Sequence, residues 1–135
     1  MKKVIFSFIV CLISVIIIKA TTTYNRPIFK ESYGTEFYGS STSLSKTFED
    51  VSVINWSAHS YLGGSNIIVS FKLSGAESAT ESFSLLNQYS VKSGSVGNYN
   101  EISTYSLSGD VTCSNPPYGG ASGRISFEAF VAGLN

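Results

Sequence analysis

The chain contains few of the residues on which catalysis and metal binding depend. It has one histidine, His59, and two cysteines, Cys11 and Cys113. These residues cannot fill a closed zinc site, and no Asp-x-Asp-x-Asp-Gly loop for calcium occurs. A serine or cysteine nucleophile would need His59 as its base. We therefore predict no metal, no cofactor and no enzymatic activity, with a small hydrolase that uses two carboxylates as the alternative.

The chain also lacks an apolar run of the length that spans a membrane. The run from Val4 to Ile18 is shorter than the roughly twenty residues that a spanning helix needs. Two lysines precede this run, and Lys19 and Ala20 follow it, which is the pattern of a secretory signal peptide. We predict that residues 1–20 are removed and that the mature protein is secreted and extracellular, without a transmembrane segment.

Basic residues become scarce once this leader is removed. Lys2, Lys3 and Lys19 leave with it, so six lysines and arginines face nine acidic residues and the net charge is about −3. Nucleic acid binding needs a basic surface that displaces counterions, and anionic lipids attract basic segments. The composition therefore argues against nucleic acid and against an electrostatically bound membrane as partners.

Loss of the leader also removes Cys11, so Cys113 would be the only cysteine of the mature chain. A chain of this length can bury a core without disulfides, but a lone thiol is unusual in an oxidising compartment. Its position after Val111 and Thr112 in a predicted strand favours a buried, inert thiol. An intermolecular disulfide through Cys113 is the alternative.

The remaining sequence is typical of β-structure. β-Branched and aromatic residues alternate with serine and threonine between glycine and asparagine breaks, and long helix-forming stretches are missing. The predicted strands cover residues 33–41, 44–48, 51–62, 67–73, 82–92, 101–113 and 124–132. Residues 93–100 and 114–123 are predicted loops, because glycine, asparagine and proline are concentrated there.

The clearest pattern is a predicted hairpin of residues 51–62 and 67–73. In the first strand, Ile54, Trp56 and Ala58 share one parity, which predicts that they face the core. The return strand alternates in the same way. Residues 63–66, Gly-Gly-Ser-Asn, are typical of a tight turn.

Residues 76–88 fit two interpretations. Ser78-Ala79-Thr80-Glu81 resembles a helix capping box, whereas Phe83, Leu85, Tyr89 and Val91 alternate as in a strand. Several serines disfavour a long helix. We predict a strand over residues 82–92.

These elements predict an all-β fold, a single antiparallel β-sandwich of the immunoglobulin-like or jelly-roll-like kind, with a small β-barrel as the alternative. Its parts would be the signal peptide at 1–20, an extended N-terminal segment at 21–32 and the sandwich domain at 33–135. No internal repeat or second domain is visible.

Aromatic and amide side chains point to a sugar-binding site. A flat tyrosine ring can stack on the apolar face of a pyranose, while amides and other polar side chains bind its hydroxyls. The candidate ligand-binding residues are Tyr99, Asn98, Asn100, Asn115, Tyr118, His59 and Tyr61. Asn55-Trp56-Ser57 is in addition a glycosylation sequon, with Asn55 as the acceptor.

The sequence thus favours a secreted binding or adhesion module whose partner is a glycan or another cell-surface ligand. Two alternatives from other classes stay open. Alternating strands can also build the amphipathic hairpins of a membrane-active, pore-forming protein, and an intermolecular disulfide would suit a structural coat or matrix component.

Overall fold

The structure is a computed structural model that describes residues 26–39, 41–62, 67–113 and 121–133. Eight strands form within these ranges: β1 Arg26–Tyr38, β2 Thr42–Val51, β3 Val53–Leu62, β4 Ile67–Ser74, β5 Ser78–Leu85, β6 Val91–Gly97, β7 Ser103–Cys113 and β8 Ser122–Gly133. The predicted signal peptide at 1–20, the predicted turn at 63–66, Asn115 and Tyr118 lie outside the described residues. β1 begins within residues 21–32, the predicted extended N-terminal segment.

Within the described residues, no helix is long and apolar enough to cross a membrane.

The strands form two antiparallel sheets that pack face to face. Sheet I has the order β1-β8-β3-β6, and sheet II has the order β2-β7-β4-β5. The chain crosses repeatedly between the layers, which is the interleaved arrangement of an eight-stranded jelly roll. The predicted all-β sandwich is confirmed. The small-barrel alternative is wrong, because the described strands form two separate open sheets and do not close on one another.

The core lies between the sheets and is built mainly from alternate residues of the strands, as the pleat requires. In β3, Ile54 and Ala58 are fully buried and Trp56 is 7% exposed, so the predicted inward face is confirmed. The ring of Phe71 in sheet II meets both Trp56 and Phe127 of sheet I edge-on, with centroid separations of 5.2 Å. Aromatic pairs of this geometry stabilise a core beyond the area that they bury.

The predicted hairpin of β3 and β4 is wrong. β3 pairs with β6 and β8, whereas β4 pairs with β5 and β7 in the other sheet. The alternation in both strands was interpreted correctly, since Ile67, Val69 and Phe71 are buried. One buried face per strand is equally compatible with two strands side by side and with two strands facing each other across the core, so the pattern could not decide between them.

The region after β4 also differs from the prediction. β5 ends at Leu85 and β6 begins at Val91, so a turn interrupts the predicted strand at 82–92, and β6 occupies most of the predicted loop at 93–100. The helical alternative is wrong as well. The turn is fixed by the buried Ser60, whose hydroxyl donates to the Asn87 carbonyl and accepts from the Ser90 amide.

Charged side chains tie β1 to β2 along one side of the sandwich. Lys46 and Glu31 form an ion pair of 2.8 Å. Lys30 donates to the backbone carbonyls of Glu49 and Asp50 next to a bulge between Phe29 and Glu31. Charges and bulges of this kind protect edge strands from pairing with other chains.

The outer faces of the two sheets differ in chemistry. Most outward positions of sheet II carry serine or threonine, and its charged or apolar exceptions include Glu49, Asp110, Lys72 and Ile68. The hydroxyl-bearing positions are Ser43, Ser45, Thr47, Ser70, Ser74, Ser78, Thr80, Ser82, Ser84, Thr104, Ser106, Ser108 and Thr112. The outer face of sheet I instead groups acidic, basic and aromatic side chains.

Candidate functional site: a groove on the outer face of sheet I

Three small residues lie side by side in the middle of this face. Gly34 of β1 pairs with Ser126 of β8, and Ser126 pairs with Ser57 of β3. The Ser57 and Ser126 hydroxyl oxygens are 3.0 Å apart and hydrogen-bonded. Residues that are directly opposite in antiparallel strands project from the same face. These three small residues therefore form a low floor across three strands.

Larger side chains border this floor on both sides. The first border lies two residues further along each strand, about 7 Å from the floor. It consists of the paired residues Glu36, Arg124 and His59. The second border lies two residues away in the opposite direction, where Ser32 and Asn55 flank Glu128. The floor and its two borders form a groove that runs across the strands.

The groove has a volume of about 300 Å³, at the lower end of the range for small-molecule sites. Its lining combines small, charged and aromatic residues, namely Ser32, Tyr33, Gly34, His59, Tyr61, Arg124, Ser126 and Glu128. No group of three metal-ligating side chains occurs among the described residues. The charged, hydroxyl and aromatic side chains of the lining can form polar and stacking contacts with an organic ligand.

Two tyrosines extend the site beyond Arg124 and His59. Tyr61 is 37% exposed and lines the groove, and Tyr38 is 65% exposed. The Tyr38 hydroxyl donates to Glu36 Oε2 over 2.6 Å. This hydrogen bond and the negative charge of Glu36 raise the pKa of Tyr38, with a smaller contribution from Tyr61.

Several polar side chains of the groove have no partner within the described part of the chain. Arg124, His59 and Glu128 take part in no ion pair or side-chain hydrogen bond there. Arg124 and Glu128 are exposed, and His59 is half-buried. These groups are available to a ligand without the loss of an internal contact.

The structure does not bring all of the sequence-predicted site residues together. His59 and Tyr61 share the groove. The loop of Asn98, Tyr99 and Asn100 follows β6, next to Val53 at the opposite end of β3. That end is about 20 Å from His59 along the strand. The predicted residues therefore cannot form one compact site.

Asn98 has a structural role in its loop. Its side-chain nitrogen donates to Glu77 Oε1 over 2.9 Å, and its side-chain oxygen accepts from the Asn100 amide over 3.0 Å. Glu77 also accepts from the Gly97 amide. These contacts join the β6–β7 loop to the β4–β5 turn and occupy the amide that was predicted to bind sugar hydroxyls. Tyr99 is half-buried in this loop.

Two further predicted positions lie on or beside strands. Asn55, the predicted glycosylation acceptor, is exposed in β3 between Glu128 and Ser95, at the border of the groove. Cys113 is a free, half-buried cysteine at the end of β7. Burial raises the pKa of its thiol.

Sequence reasoning missed Tyr38, Glu36, Arg124, Ser126 and Glu128. The last three alternate with buried apolar residues in β8, so the parity of that strand already placed them on one outer face. The sequence pattern did not reveal that β8 pairs with both β1 and β3. That pairing brings the three strands together to form the groove.

Comparisons with protein-family models, with curated protein sequences and with solved structures find no match for this chain. The proposed function therefore depends on the geometry of the groove.

Proposed function

We propose that the protein is a secreted binding module that holds a glycan in the groove on the outer face of sheet I. One observation carries this proposal: a floor of small residues lies between unpartnered polar side chains and an exposed tyrosine ring. A sugar ring needs a low surface for close approach, hydrogen-bonding groups at its rim and an apolar plane for stacking.

Each part of the groove supplies one of these contacts. Gly34 and Ser126 leave room for a ring to approach the sheet. Tyr61 offers an aromatic face, and aromatic rings bind with little loss of conformational freedom. Glu128 accepts hydrogen bonds from hydroxyls, and Arg124 donates them.

The proposed site differs from the loop site that the sequence suggested. The Asn98 amide already binds Glu77 and Asn100, so a ligand would have to displace contacts that join two loops. Arg124, His59 and Glu128 require no such displacement. The groove therefore supports ligand binding better than the loop does.

A glycan array probed with the protein from Thr21 onward tests the proposal. The variant Ser126→Gln places a long side chain on the floor, and we expect it to lose binding to every glycan that the unmodified protein retains. Ser108→Gln is the matched control, because Ser108 is an exposed serine on the outer face of sheet II.

Both variants should unfold at similar urea concentrations. Retention of glycan binding by Ser126→Gln would contradict the groove as the binding site. Absence of binding by the unmodified protein across a broad array would contradict the proposed function itself.

A further inference from the structure

Arg124 lies where a cross-strand ion pair would be expected, yet it forms none. It is the register partner of Glu36 on β1, and the Cβ atoms of directly opposite residues are about 4.5–5.5 Å apart. Opposite charges in such positions normally attract. In the described part of the chain, however, no carboxylate oxygen lies within ion-pairing distance of the guanidinium group.

Tyr38 explains why Glu36 and Arg124 are separated. Tyr38 and Glu36 are two residues apart in β1 and project from the same face. The Tyr38 hydroxyl donates to Glu36 Oε2 over 2.6 Å, a short hydrogen bond to a charged acceptor and therefore a strong one. This bond directs the carboxylate along β1 towards Tyr38, and Arg124 is left without its neighbouring anion.

Among the described residues, no other side chain on this face replaces Glu36 as a partner. The register partner of Arg124 on β3 is His59, whose side chain is not an anion. Glu128 is four residues further along β8, about 14 Å away. An exposed guanidinium with free donors is suited to planar, two-point binding of a carboxylate. The groove therefore presents a preformed site for an acidic group beside the tyrosine ring.

We propose that the ligand is an acidic glycan whose sugar carboxylate binds Arg124, and that Tyr38 determines this specificity by keeping Glu36 away from Arg124. The inference rests on the proposed glycan-binding function and narrows it to sugars that carry a carboxylate. Tyr61 stacks on the sugar ring, and Glu128 accepts a hydroxyl at the opposite border of the groove.

Two matched ligand pairs test this specificity by calorimetry. The first pair is a tetramer of galacturonic acid and the same tetramer with its carboxyl groups reduced to alcohols. The second pair is sialyl-lactose and lactose. We expect the acidic member of at least one pair to bind about tenfold more tightly, the size of one hydrogen bond to a charged group. Arg124→Gln should abolish this preference, because it lowers the affinity for the acidic member much more than the affinity for the neutral one.

Tyr38→Phe isolates the role of the hydroxyl. The ring stays, but Glu36 is released to pair with Arg124, so the affinity for the acidic member should fall towards that for the neutral one. Adding Glu36→Gln to this variant removes the competing carboxylate and should restore the preference. A purely structural role of Tyr38 would not produce this rescue.

The outcomes separate this inference from the proposed function. Equal affinities within both pairs would overturn the acidic specificity but keep glycan binding. An unchanged preference in Tyr38→Phe would overturn the role of Tyr38. If the unmodified protein binds neither pair nor any glycan on the array, the proposed function fails together with the inference.

Discussion

The indole ring of Trp56 in sheet I stacks on the ring of Phe83 in sheet II, with centroids 5.4 Å apart and planes inclined by 16°. Gly94 of β6 is the register partner of Trp56 within sheet I. A Cβ atom added at Gly94 would lie 2.7 Å from Trp56 Cζ2, closer than van der Waals contact allows. Gly94 and Phe83 thus hold the indole in place, and its fluorescence reports on this contact because the chain has no other tryptophan.

Replacing Gly94 with alanine should destabilise the protein by about 1–3 kcal/mol, the usual cost of overpacking. The indole cannot move away from the new methyl group, because Phe83 and Phe71 contact it within the core. Urea unfolding followed by tryptophan fluorescence measures the effect. Ser95→Ala changes an exposed neighbour in the same strand and should leave stability nearly unchanged. Equal midpoints for the two variants would show that the indole has room to move.

Replacing Ser60 with alanine should cost about 1–3 kcal/mol, because the Asn87 carbonyl and the Ser90 amide each lose their hydrogen bond to the buried Ser60 hydroxyl. The turn also contains Tyr89 in a left-handed conformation, with φ of 60°, which a bulky residue adopts only under constraint. We therefore expect faster hydrogen exchange at the Tyr89 amide, which bonds to the Ser60 carbonyl. Ser84→Ala, at an exposed position of β5, is the control. Unchanged exchange would mean that other contacts fix the turn.

The Cys113 thiol should react slowly with iodoacetamide at pH 8 in the folded protein and faster in urea. Burial raises its pKa above the ordinary value of 9.0, so less thiolate, the reactive form, is present. The raised pKa also favours folding only while the thiol stays protonated. Stability relative to Cys113→Ala should therefore decline as the pH rises above 9.0. A disulfide-linked dimer on a non-reducing gel would contradict this prediction and support the intermolecular alternative.

Two substitutions distinguish the groove from the β6–β7 loop. Tyr61→Ala should weaken glycan binding at least several-fold with little change in stability, because Tyr61 is partly exposed and lines the groove. Asn98→Ala should lower stability by about 1 kcal/mol, since it loses two hydrogen bonds, but leave binding unchanged. Titration of both variants with the strongest array ligand, together with urea unfolding, measures these effects. The opposite assignment of effects would favour the loop site.

The sequence predicted the burial of individual strands much better than their neighbours. The inward positions of Trp56, Val69 and Phe127 follow from alternation alone, because the side-chain period of a strand is local and visible in the residues. Strand pairing depends on contacts distant in sequence, such as that of β1 with β8, and no local pattern determines it. The same limitation explains why β3 and β4 were assigned to one hairpin.

The candidate site was likewise predictable only where its residues lie within one strand. His59 and Tyr61 were identified because both lie on the polar side of a clearly alternating strand. Arg124 and Glu36 are distant in sequence, and each resembles an ordinary surface charge. Only the register of β1 on β8 brings them together, and only the hydrogen bond from Tyr38 shows that they are kept apart. The composition instead favoured Asn98, whose side-chain amide joins the β6–β7 loop to Glu77.

The position of β8 has a consequence for biosynthesis. It is the last of the eight strands to leave the ribosome, yet it lies between β1 and β3 in the middle of its sheet. Until it arrives, β1 has no partner strand, and the apolar side chains awaiting β8 stay open to water. Sheet I of a nascent chain therefore stays incomplete until β8 has been synthesised, and its exposed apolar surface favours aggregation until then.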